Sequence, residues 1–137
     1  MAAAGTWPDI SVYCQGIAYL RSAIKLANVT DGSSNTYLVG EKYLNPDSYS
    51  NGTDGADNET MYAGFDNDNH RSSNNWPVAQ DTPGYANADV FGSARFGSFN
   101  MLFCDGSVKP ISYAIDQTTH TRLGTRSDGL PVDQSKY

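Results

Sequence analysis

The sequence predicts a mainly β fold of the α+β kind: an antiparallel sheet with a C-terminal β-hairpin, one or two short helices and a long Asp/Asn-rich insertion. Three observations carry this expectation. Glu41 and Glu59 are the only glutamates, so Asp supplies nearly all of the acidity, and Asp, Asn, Gly and Ser build turns rather than helices. Aromatic residues make up 12% of the chain and nine of them are Tyr, which suits strands and argues against disorder. An Asp-Gly pair, Asp105-Gly106, separates two apolar runs and is a strong local hairpin signal.

The elements follow in order. Residues 11–20 carry Val12, Tyr13, Ile17, Tyr19 and Leu20 around Gly16, and are expected to form a kinked strand. Ile24, Leu26 and Val29 alternate as in a half-buried strand. Residues 30–35 (Thr-Asp-Gly-Ser-Ser-Asn) read as a turn, with Asp31 capping a short helical turn. Residues 37–43 form a further strand, stopped by Asn45-Pro46-Asp47. From 47 to 88 the chain is polar, with isolated aromatics at Tyr49, Tyr62, Phe65, Trp76 and Tyr85. A segment of this length without regular structure is functional or disordered, and the spaced aromatics favour a folded loop. Residues 99–104 form a strand, Asp105-Gly106 a type I′ turn with φ > 0 at both residues, and 107–113 the return strand. Pro110 cannot donate to a ladder, which puts that strand at an edge or bulges it. Asp116 caps a helix over 117–123 and Gly124 ends it, and the tail from 127 to 133 is a turn followed by an extended end. The whole is one domain: N-terminal strands in 1–46, the insertion in 47–88, and hairpin, helix and tail in 89–137.

Charge and motif content exclude several function classes. The net charge is −6 and the nine basic residues are scattered, so no stripe tracks a phosphate backbone and nucleic acid is not expected as a partner. No apolar run approaches the ~18 residues of a membrane span, and the first five residues have no signal-peptide pattern. Cys14 and Cys104 lack zinc-site spacing. They are two small buried thiols or, outside the cytosol, a disulfide. Catalysis finds no Gly-x-Ser-x-Gly elbow, His-Glu-x-x-His pair or phosphate loop around His70 or His120, and His120 is expected to be exposed or capping, so no enzyme is expected.

The insertion holds the remaining candidates. Asp54, Asp57, Asn58, Glu59, Asp66 and Asp68 offer hard oxygen ligands on Gly-containing loops, as calcium requires. The competing reading makes them Asx-turn residues that bond their own backbone. Tyr62, Trp76 and Tyr85 combine apolar faces with polar tips and would stack on a sugar or peptide, unless they form a satellite cluster that holds the loop down.

Two stretches, with a similar tail, carry a family resemblance. Val29-Thr30-Asp31-Gly32-Ser33-Ser34-Asn35-Thr36, continuing to Gly40-Glu41, resembles a motif of a large bacterial family of the planctomycete type, domain of unknown function 1559. The segment from Ala94 through Arg95 to Asp105-Gly106-Ser107-Val108 is similar to the same family's closing motif, a His, nine residues, then Asp-Gly. Arg95 stands here at the His position, and its guanidinium is suited to bond a loop carbonyl or carboxylate. Asp31, Gly32, Arg95, Asp105 and Gly106 are thus the motif residues, with structural duties expected. The family begins with a prepilin-type leader and an apolar helix, neither of which this sequence matches, so the chain resembles only the C-terminal globular part. The resemblance implies a pilin-like or pseudopilin-like structural module, extracellular or in the cell envelope, non-catalytic, and assembling with other protein subunits as a homo-oligomer or filament. Analogy with calcium-holding pseudopilins adds to the calcium expectation. A carbohydrate- or peptide-binding module is the alternative, and a hydrolase a more distant one.

Overall fold

A computed structural model describes residues 14–74 and 76–137. Among these residues the architecture is mainly β with a single α-helix, as expected. A three-stranded antiparallel sheet has the order β1 (Tyr37–Gly40), β4 (Ser98–Phe103), β5 (Val108–Ser112). A short parallel pair joins β2 (Ala79–Gln80) to β3 (Gly92–Ser93), and α1 spans Gln117–Leu123.

The sheet exists because β4 alternates. Phe99, Met101 and Phe103 are fully buried while Ser98, Asn100 and Leu102 look the other way. Tyr37 from β1, Ile111 from β5 and Leu123 from α1 complete the core, with Val78, Phe91, Tyr113, Ile115, Val132 and Tyr137 around it. Full burial of each large apolar side chain is worth roughly 1.5–3 kcal/mol, so this face supplies most of the driving force. Gly40 lies against it because a Cβ there would overlap the Met101 sulfur and the Phe91 ring.

The hairpin forms, with a different turn. Gly106 is left-handed at φ +87, but Asp105 is not among the positive-φ residues, and the Gly106 amide donates to the Phe103 carbonyl at 3.0 Å. The Phe103 amide in turn donates to the Ser107 carbonyl at 2.9 Å, so the loop is Cys104-Asp105-Gly106 with Gly106 as a bulge, not type I′. The Asp105 carboxylate accepts from the Ser107 amide (2.8 Å) and hydroxyl (2.7 Å), which braces the loop from within. Pro110 pairs with Asn100 on the edge strand, where its missing N–H faces outward.

Helix α1 matches its expected bounds. The Asp116 carboxylate accepts from the Thr119 hydroxyl at 2.7 Å and its amide at 2.9 Å, and these bonds lower its pKa. His120, expected at the surface, is buried instead, since residues 119, 120 and 123 share the helix face turned to the sheet.

The N-terminal strands are the main correction. Residues 11–13 of the first one lie outside the described residues, and 14–20 carry a bend at Gly16 and no strand. In place of a strand at 24–29 there is a 3-10 turn, Leu26–Asn28, because the Asn28 side chain accepts the Lys25 amide at 2.9 Å and closes the chain locally. The strand expected over 37–43 pairs with β4 only to Gly40. A bulge between Tyr37 and Val39 bends it, and Lys42 then bridges to Phe91. Among the described residues, 47–88 is irregular apart from the 3-10 turn Pro46–Ser48 at its start and β2, which fits β3 closely because Gly92 has no Cβ to overlap the Ala79 carbonyl.

Candidate functional site

The two motifs meet across the sheet. Glu41, directly after β1, accepts the Asn100 amide at 2.6 Å and forms an ion pair with Arg95. The Glu41 amide donates to the Asn100 carbonyl at 3.1 Å, and the Glu41 carbonyl accepts the Gly92 amide at 3.0 Å. With its amide oxygen turned to Arg95, Asn100 also accepts both terminal guanidinium nitrogens, at 2.8 and 2.9 Å. Arg95 thus bonds a carboxylate and a side-chain amide.

Asp31 acts at a distance and not as a cap. The 3-10 helix Ser33–Asn35 begins after Gly32, at φ +99, with no side-chain cap. The Asp31 carboxylate instead accepts the Asp128 amide at 2.7 Å and the Gly129 amide at 2.9 Å, and the Asp31 amide donates to the Arg126 carbonyl at 3.2 Å. The first motif therefore clamps the tail.

The insertion carries its own counter-ions. The Lys42 ammonium donates to the Ala56 carbonyl (2.8 Å), the Asp68 carbonyl (2.9 Å) and the Asp57 carboxylate (2.6 Å). The Arg71 guanidinium donates to the carbonyls of Asn67, His70 (2.7 Å) and Ala56 (3.4 Å). Burial lowers the Arg71 pKa, against the opposing pull of Asp54, Asp89, Asp68 and Asp57. Between positions 41 and 71 these are the only two cations, against seven acids. That count was the sequence signal for their role, and sequence reasoning passed over it.

The six proposed calcium ligands do not form one set. Asp54 accepts the Asn45 amide (2.7 Å) and the Ala56 amide (2.8 Å), and Asp66 accepts the Asp68 amide (3.1 Å), both in local turns. Asp57 faces Lys42, while Asn58 and Glu59 are exposed. Asp68 is buried, with one oxygen on the Glu59 amide and the other unpartnered. Among the described residues no three His, Cys, Asp or Glu side chains come together to hold a metal ion.

The aromatics are equally dispersed. Tyr85 stacks edge-on against buried Tyr43, Tyr62 stands 85% exposed, and Trp76 is partly exposed. A cleft of about 800 Å³ lies elsewhere, between the 14–19 segment, β1 and the insertion. It is lined by Phe65, His70, Arg71, Asp89 and Phe91 and not by Tyr62, Trp76 or Tyr85. Cys14 and Cys104 are half-buried free thiols. Burial, then Asp105, raises the Cys104 pKa, so it is not an activated nucleophile. His120 sits among the rings of Tyr37, Phe91 and Phe99, with Nδ1 3.4 Å from the Tyr37 hydroxyl and Nε2 unpartnered. Desolvation lowers its pKa to about 4 and raises that of Tyr37.

A family model described as a protein of unknown function (DUF1559) matches residues 3–118. No curated protein and no solved structure matches the chain. The matched span contains the Asp31-Gly32 turn, Glu41, Arg95 and the Asp105-Gly106 hairpin, and with most of its length covered the chain belongs to the DUF1559 family.

Proposed function

We propose that this domain is a non-catalytic structural module of pilin-like type, extracellular or in the cell envelope, working through contacts with other protein subunits, copies of itself among them. The observation that carries the reading is the second face of the sheet. Val39, Leu102 and Val108 are direct cross-strand partners on β1, β4 and β5, so their side chains share one face, where Val39 is 60% and Val108 62% exposed. An apolar row on ordered strands suits a subunit contact. The motif residues support the same reading, since Asp31, Glu41 and Arg95 are engaged in holding the chain together. No helix among the described residues is long and apolar enough to cross a membrane. Sedimentation of the purified chain over rising concentration tests the proposal: mass should grow with concentration and fall in Val39→Lys/Val108→Lys. A chain that stays monomeric throughout contradicts self-assembly.

The cleft favours a second reading, a carbohydrate- or peptide-binding module. Specific array binding lost in Phe65→Ala would support it, and arrays without a hit would remove it.

A further inference from the structure

The insertion ends in a shaped tip. Met61 is 74%, Tyr62 85% and Phe65 53% exposed, so three large apolar side chains face water within five residues. The backbone beneath them is held. The Ala63 amide donates to the Thr60 carbonyl (3.0 Å), and Asn69 Nδ2 donates to the Gly64 carbonyl (2.6 Å). The Asp66 amide donates to Asn69 Oδ1 (3.2 Å), and the Phe65 ring packs tilted against that of His70, centroids 4.0 Å apart. Gly64 at φ +93 supplies the reversal. Apolar groups displayed on a fixed frame lose little conformational entropy on binding, which is how contact hot spots are built. On the flanks of the tip Glu59 is exposed and Asp66 partly exposed, while Asp57 is paired with Lys42 and Asp68 is buried.

Elsewhere the same chain offers the complement. Residues 14–30 contain Arg21 and Lys25 and no acid, and Leu26 there is 66% exposed, with Leu20 partly exposed beside it. We propose that the acidic, apolar tip of one molecule docks on the basic, apolar 20–26 segment of a second copy. Apolar side chains meet apolar side chains, and Glu59 of one copy faces Lys25 of the other. The two surfaces differ, so the contact is either reciprocated in a two-fold pair or repeated head to tail. This rests on the assembly reading above and names one contact through which it would act.

Sedimentation velocity on the full chain and its variants tests the docking. Met61→Ser/Tyr62→Ser should weaken association at least tenfold, with unchanged circular dichroism and melting because both side chains are exposed. Glu59→Lys and Lys25→Glu should each weaken it several-fold, and the two together should restore it. Association that survives Met61→Ser/Tyr62→Ser but is lost in Val39→Lys/Val108→Lys overturns the docking and leaves the assembly reading intact. Charge reversals that do not rescue each other overturn the partner assignment. A wild-type chain that stays monomeric overturns both.

Discussion

Lowering the pH from 7 to 4 puts a proton on a histidine that the core cannot solvate. His120 is buried against Tyr37, Phe91 and Phe99, and desolvation holds its pKa at about 4 instead of 6.5. In the unfolded chain the imidazole titrates near its ordinary value. Between those two values the unfolded state therefore carries the proton and the folded state does not. Stability is fully present above pH 6.5 and is lost as the pH falls through 6.5 toward 4. At about 1.4 kcal/mol per unit of difference, the loss by pH 4 is about 3 kcal/mol, a large part of an ordinary domain's stability. The carboxylates act in another window. Hydrogen bonds from Ser107, Thr119 and Ser135 hold Asp105, Asp116 and Asp133 below their ordinary 3.8, so their contributions are lost only at lower pH. Urea denaturation at pH 7, 6, 5 and 4 measures the effect. The wild type should lose about 3 kcal/mol over this range, and His120→Leu should stay nearly flat down to pH 4. Equal pH slopes in the two proteins would refute the buried imidazole as the cause.

Other perturbations follow from the same geometry. Asp31→Ala removes the acceptor of the Asp128 and Gly129 amides, and should lower stability by about 1–3 kcal/mol and speed tryptic cleavage after Arg126; an unchanged digest would deny the clamp. Gly106→Val forces a β-branched residue to φ +87 and should lower stability by about 1–2 kcal/mol in a thermal melt. Lys42→Met leaves the Ala56 and Asp68 carbonyls short of a donor, and limited proteolysis should cut within 47–88 sooner than in the wild type. Calcium is the open proposal for this loop. Because Lys42 already engages its oxygens, melts in excess EGTA and in millimolar calcium should coincide, whereas a rise of several degrees, lost in Asp66→Ala/Asp68→Ala, would place an ion there.

Legibility in the sequence followed distance along the chain. The hairpin and α1 were readable because their determinants are local: Asp105 with Ser107, and Asp116 with Thr119. Even so, the Asp-Gly pair alone did not distinguish a two-residue from a three-residue loop, since the deciding bond lies between Phe103 and Ser107. The pairing of β1 with β4 and the reach of Asp31 to 128–129 join residues more than sixty positions apart, which no periodicity encodes. Residues 24–29 alternate like a strand, yet a single Asn28 side-chain bond closes them into a turn. His120 was misplaced because a seven-residue helix offers two turns, too few for its apolar face to stand out. At the candidate site the acidic cluster was visible, but the two cations that organise it were not counted against it.

The segment between Tyr43 and Val90 leaves and returns at one point. Tyr43 donates its amide to the Val90 carbonyl at 3.3 Å, Lys42 bridges Phe91, and Glu41 ties Gly92 and Arg95 beside them. Closing a flexible loop at such a seam costs only about 0.6 kcal/mol more for each doubling of its length. Beyond the seam, Val78 and β2 pack back on the core, whereas the exposed tip around 60–65 touches neither. Lengthening or exchanging that tip alters the displayed surface while the strands, the hairpin and the tail clamp keep their places, so the tip is a natural acceptor for a grafted loop.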